Sequence, residues 1–220
     1  MVDGAGRQMD RRKILCLVGA VAFSVPFVGA AADTVPESDL VTRPVAALNA
    51  GLLAEMKTGR AVPFATRYAQ LEPLIDRVFD LPAILQSAIG PPHWQALTPE
   101  EQTQLLDAFR RYTVSTYVAN FDKFGGESFV ILPDRRNIAE VTVVPTQIVP
   151  ATGKPARIDY VLHPVAGDAS SEWKIVDVFL DGSISQVAVQ RSEFRGALRD
   201  GGVKQLIAMF DRKATTLSIG

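Results

Sequence analysis

The chain has 220 residues, 23 of them Lys or Arg and 24 Asp or Glu, for a formal net charge of −1. That balance lacks the basic excess on which nucleic-acid binding depends. Hydrophobic residues make up 47% of the chain, and the single cysteine, Cys16, lies near the N-terminus, so the rest of the chain has no disulfide, thiolate nucleophile or cysteine metal site.

The first element is a leader. Arg7, Arg11, Arg12 and Lys13 precede an apolar run from Ile14 to Ala32 that ends in Ala30-Ala31-Ala32. A charged start, an apolar middle and a small-residue exit describe a secretory signal peptide cut before Asp33. A membrane anchor is the rival reading, and Pro26 with the many Gly and Ala residues makes it a poor one. Asp10-Arg11-Arg12-Lys13 suits either the general secretory or the twin-arginine route. The expected organisation is a signal peptide, 1–32, and one exported domain, 33–220. That domain carries 19 Lys or Arg against 22 Asp or Glu.

Helical spacing follows. Val45, Leu48, Leu52, Leu53 and Met56 recur at helical intervals, with Gly59 beyond them. Pro63 opens a second helix with Phe64, Tyr68, Leu71, Leu74, Ile75 and Val78, in which Pro73 is a potential kink. A short helix is expected from Pro82 to Ile89, ended by Gly90-Pro91-Pro92. Thr98-Pro99-Glu100-Glu101 has the form of a capping box with proline at the first helical position. The helix it starts is predicted to run to about Phe124, where Gly125-Gly126 reads as a C-cap and not as a phosphate loop.

Period-two patterns then predict four strands: Ser128–Leu132, Ile138–Val149, Arg157–His163 and Glu172–Leu180. Turns are expected at 150–155 and at Gly167–Ser171. Short connections favour an antiparallel meander. Two tail helices are expected, Ser192–Arg199 and Val203–Lys213, divided by Gly201-Gly202. The last two strands are apolar on both faces, so one face needs a cover beyond the first helical layer. The fold class is therefore α+β: a curved four-stranded antiparallel sheet packed with helices around an apolar cavity. Periodicity assigns its lining to Leu105, Phe109, Tyr112, Val144, Ile158, Tyr160, Val176, Val178, Ile184 and Val187, with the opposite face of the sheet as the alternative.

The sequence offers little chemistry. His93 and His163 have no metal-ligand partner at helical or hairpin spacing. There is no nucleophile elbow, P-loop or dinucleotide fingerprint. Asp177 lies inside an apolar strand and calls for a partner, with Arg157 or Arg67 as candidates; otherwise it anchors a headgroup at the cavity mouth. A single carboxylate makes a poor hydrolytic site. The expectation is a protein that is not an enzyme and needs no cofactor or metal.

Two blocks carry a family resemblance. The first contains Phe79-Asp80, Gly90, Trp94, Leu97-Thr98-Pro99-Glu100 and Thr116-Tyr117. The second contains Trp173, Asp177, Gly182, Ser183, Ser185, Gln190, Arg191, Glu193 and Phe194. Together they resemble the periplasmic lipid-binding proteins of the maintenance-of-lipid-asymmetry system, also called toluene-tolerance auxiliary proteins. The stretch from Val114 to Phe129 looks closest to the hopanoid-biosynthesis-associated branch. The extra residue in Gly182-Ser183-Ile184-Ser185 departs from the usual pattern.

The resemblance implies a monomeric shuttle that takes the tails of a phospholipid or hopanoid into its cavity. It implies exchange with an inner-membrane lipid transporter and an outer-membrane acceptor complex. Each buried methylene contributes about 0.8 kcal/mol, which makes such binding energetically ample. A periplasmic isomerase or hydrolase on a similar scaffold, and a peptide-binding module, are the rival readings.

Overall fold

The computed structural model describes residues 40–165 and 172–219. The leader and the expected turn at Gly167–Ser171 lie outside the described residues.

Five helices come first: α1 (Arg43–Thr58), α2 (Phe64–Val78), α3 (Leu81–Ile89), α4 (Pro91–Gln95) and α5 (Pro99–Asn120). Six strands follow: β1 (Ser128–Ile131), β2 (Arg136–Ile138), β3 (Val141–Val149), β4 (Ala156–Pro164), β5 (Trp173–Leu180) and β6 (Ile184–Ser185). Helix α6 (Gln186–Ser218) closes the chain.

Local chemistry explains the helix ends. Thr98 accepts a hydrogen bond from the Glu101 amide, and the Glu101 carboxylate accepts one from the Thr98 amide. This reciprocal cap satisfies two donors that a helix start leaves orphaned. Asp80 caps α3 by accepting from the Ala83 amide at 3.0 Å. Pro73 is accommodated within α2, which continues unbroken to Val78. Helix α5 stops at Asn120, four residues before the expected end, with Phe121 leaving helical geometry at ψ 50°.

The sheet corrects the strand count. Its order is β1-β3-β4-β5-β6, with β2 also pairing β3, and every pairing between these strands is antiparallel. The alternation predicts four strands, and six are present among the described residues. Ala139, at φ 50°, turns the chain inside the predicted Ile138–Val149 strand and divides β2 from β3. The two-residue β6 then adds an edge to β5.

Register fixes the inward face. Phe129 and Ile131 of β1 lie opposite Ile148 and Thr146. Val144 lies opposite Tyr160, and Tyr160 opposite Val178. The β4–β5 register shifts so that Leu162 meets Ile175 and Val161 meets Asp177, which leaves Val176 as the bulged residue. A bulge puts two residues against one and restarts the alternation. Ile175 and Val178 therefore share the inward face, where simple alternation would oppose them.

The core sits between that face and the helices. Val45, Leu48, Leu52, Leu71, Ile75, Leu85, Leu105, Phe109, Leu162, Ile175, Phe194, Leu206 and Phe210 are buried there. A rosette of rings joins α5 to α6: Phe109 lies 5.5 Å from Phe210, and Phe194 meets Phe210 edge-on at 4.9 Å. Gly51 lets α1 approach α2, since a Cβ there would stand 2.1 Å from the Leu74 Cδ2.

Helix α6 is two helices in series. Gly201 and Gly202 leave helical geometry, and Gly202 adopts φ 64°, ψ −153°, a region open essentially to glycine alone. The division falls where the sequence places it. The helix begins six residues before the expected Ser192, because Ser185 caps it by accepting from the Ala188 amide at 3.0 Å.

Candidate functional site: an apolar interior with few polar groups

The ten residues assigned to the lining fall into three groups. Leu105, Phe109, Val144, Ile158, Tyr160 and Val187 are buried, and Val178 packs partly buried against the same cluster. These seven come together between α5, α6 and the inward face of β3, β4 and β5. Tyr112 faces α6 instead of the sheet: its ring stacks on Phe210 at 5.6 Å and 9°, with the Lys213 ammonium 5.2 Å from its centroid. The last two stand apart. Val176 occupies the bulge, and Ile184, on the edge strand, is 49% exposed.

A second aromatic group lies outside the ten assigned residues. Phe79 and Tyr117 lie 5.5 Å apart, Tyr117 stacks on Phe121 at 5.9 Å, and Phe121 meets Phe129 at 6.2 Å. Phe79 also bridges to Ile175 through its backbone. This group connects the C-terminal end of α5 to β1 and β5. The helical stripe on α5 contains Tyr117 and Phe121, but only the tertiary path brings β1 to them.

Two pockets of about 320 Å³ each open at the surface. One is lined by Val41, Arg135, Asn137, Glu140 and Trp173 among others. The other lies among Ile89, Pro92, His93, Leu97, Leu198 and Val203, beside the break in α6. None of the ten assigned residues lines either pocket. Buried apolar side chains pack together where the cavity is expected between sheet and helices.

Polar groups in the interior are few. Arg67 and Glu55 form an ion pair at 3.0 Å with side chains only 5% and 4% exposed. Arg67 also donates to the Val118 carbonyl at 3.1 Å, and so ties α1, α2 and α5 together. Burial raises the Glu55 carboxyl above its ordinary 4.5, against the lowering effect of Arg67. On the other face of the sheet, buried Asp159 accepts hydrogen bonds from Arg136 at 3.3 Å and Arg157 at 2.9 Å.

Asp177 departs from expectation. Neither Arg157 nor Arg67 pairs with it, since those guanidiniums are committed to Asp159 and Glu55. Its carboxylate instead accepts from the Val178 amide at 2.7 Å, the Val187 amide at 3.1 Å and the Ser185 hydroxyl at 2.5 Å. It fastens β5 to the start of α6. A carboxylate at a helix N-terminus gains from both the free amides and the helix dipole, so no cation is required.

His163 lies 2.9 Å from Asp80, joining the end of β4 to the start of α3. His93 lines the pocket beside α4. No group of three or more His, Cys, Asp or Glu residues able to hold a metal occurs among the described residues. Nor is any described helix long and apolar enough to cross a membrane.

Comparison with known proteins gives two findings. The MlaC protein family matches residues 47–212. Among solved structures, a phospholipid-binding protein from Ralstonia solanacearum, determined in complex with a phospholipid, superposes with a TM-score of 0.65 at 22% identity. The match covers 81% of this chain and 98% of that one. At that identity the likeness is one of fold.

Proposed function

The chain belongs to the MlaC family, and from that premise we propose that it is a periplasmic lipid carrier: it takes the tails of a phospholipid or hopanoid between helices and sheet and moves them between the inner and outer membranes. The observation that carries this reading is the inward face of the sheet. From Phe129 and Ile131 across Val144, Ile148, Ile158 and Leu162 to Ile175, Val178 and Leu180, it offers apolar side chains to the helices. Such a layer parts along an apolar seam, and lipid tails can take over the packing that the separated side chains give up.

The solved phospholipid complex supports the same assignment by shared fold. The reading includes export by a cleaved leader. It also includes unloading by membrane partners, an inner-membrane transporter and an outer-membrane acceptor, because a carrier that gains this much from burial releases its cargo only when a partner stabilises the open or empty state. It assigns no reaction to the chain.

Mass spectrometry of organic extracts from the natively purified protein tests it. A copurified phospholipid or hopanoid at near-stoichiometric amount is expected. A protein that emerges empty and takes up neither on reconstitution would sink the proposal.

A further inference from the structure

Two phenols stand out in the apolar interior. Tyr160 is on the inward face of β4, flanked by Val144 and Val178, and is 2% exposed. Tyr117 approaches from α5, packed against Phe79, which is itself bridged to β5. Neither hydroxyl has a hydrogen-bond partner among the described residues, and neither oxygen is fully enclosed by protein. Tyr68, by contrast, donates to Glu72 at 3.3 Å.

A buried hydroxyl without a partner forgoes an interaction that native interiors nearly always supply. Tyr160 is such a group, and Tyr117, partly buried against the same apolar cluster, is a second phenol without a protein partner; with accessible surface at their oxygens, the two have the form of a site whose acceptor arrives with the ligand. Burial raises both phenols above the ordinary tyrosine range, and Tyr160 raises Tyr117 further, so both stay protonated and able to donate.

We infer that the Tyr117 and Tyr160 hydroxyls form the polar anchor of the lipid site, donating to a neutral oxygen carried on the lipid, either an acyl-ester carbonyl or the hydroxyl of a triterpenoid alcohol. This rests on the lipid carriage proposed above and states which part of the lipid is read. A phosphate fits poorly, because Phe79, Val144, Ile175 and Val178 supply no cation to offset its desolvation. Apolar burial gives affinity without direction; one or two placed donors fix how deep the lipid sits.

The test uses delipidated full-length mature protein and four probes in two pairs. One pair is a diacyl phosphatidylethanolamine and its diether analogue. The other is a pentacyclic triterpenoid alcohol and its parent hydrocarbon. In at least one pair the carbonyl- or hydroxyl-bearing member is expected to bind about tenfold more tightly, the worth of one buried hydrogen bond. The double variant Tyr117→Phe/Tyr160→Phe should lose that preference, and the pair that showed it identifies the oxygen. The ligand-free double variant should unfold at or above the wild-type temperature, since no protein bond is lost.

Equal binding within both pairs, or a preference that survives the double substitution, overturns the inference and leaves lipid carriage standing. A clear destabilisation of the ligand-free variant also overturns it, because the hydroxyls would then have protein partners. Failure of the wild type to bind any of the four overturns lipid carriage itself.

Discussion

Replacing Asp177 by Ala removes three acceptor interactions at once. The carboxylate receives the Val178 and Val187 amides and the Ser185 hydroxyl, at 2.7, 3.1 and 2.5 Å. Ser185 in turn caps α6, so the loss spreads to the helix start. A hydrogen bond to a charged group contributes roughly 1.5–3 kcal/mol, and partial exposure of Asp177 places each of these at about 1 kcal/mol. The sum is about 3 kcal/mol, or a fall of about 6–12 °C in Tm for a domain of this size. Asp177→Asn keeps one acceptor oxygen and should lose about half as much. Urea denaturation of both variants measures this.

Arg157→Met supplies the control. Asp177 and Arg157 share no contact in the structure, so their coupling in a double-mutant cycle should be within about 0.5 kcal/mol of zero. An Asp177→Ala variant within about 0.5 kcal/mol of wild type, or a strong Asp177–Arg157 coupling, would refute the assignment of this carboxylate to the β5–α6 junction.

Three further outcomes are expected. Val178→Trp should lower lipid occupancy, since Val178 packs on the inward face opposite Tyr160, whereas Ile184→Trp on the exposed edge strand should leave it unchanged; equal effects in mass spectrometry of the copurified lipid would relocate the site. Gly202→Ala should destabilise by about 1–3 kcal/mol through backbone strain alone, because an added Cβ meets nothing within 4 Å; a neutral thermal melt would show that the break tolerates ordinary residues. The Glu55 carboxyl is raised above 4.5 by burial, so the folded chain takes up this proton at a higher pH than the unfolded one. Its contribution to stability is therefore largest at and below its unfolded value and declines as pH rises through the folded value. Subtracting the unfolding free energy of Glu55→Gln from that of wild type across this range should give a difference that falls with rising pH, and a flat or rising difference counts against the buried pair.

What the sequence makes legible is whatever is encoded locally. The Thr98 box and the stripe of Leu105 and Phe109 depend on residues within a few turns of one another, and both appear as expected. The Gly201-Gly202 break is equally local. The bulge at Val176 is different, because nothing in Ile175-Val176-Asp177 announces it. It arises from the register that β4 imposes, and it reverses the face of every residue on one side of it. The polar strand β2 escapes recognition because its three exposed residues carry no alternation. Asp177 attracts the expectation of a cation because a string of side chains shows guanidiniums and omits backbone amides, which here are the partners. Tyr117 is visible as a ring on a helix, but Tyr160 comes from a strand 43 positions later, and only folding brings the two residues to one apolar cluster.

The paired glycines of α6 also govern how the chain end comes apart. Helical backbone geometry is interrupted at Gly201 and Gly202, so fraying that starts at Ser218 is expected to halt there instead of unzipping back to Ser185. The distal segment is held by Leu206 and Phe210 in the core and by the Arg111–Asp211 and Lys213–Glu193 ion pairs, while the proximal segment is fastened by Asp177. Amide exchange along this one helix should therefore fall into two protection classes with a sharp boundary at the glycines, a latch on its own hinge beside the apolar seam.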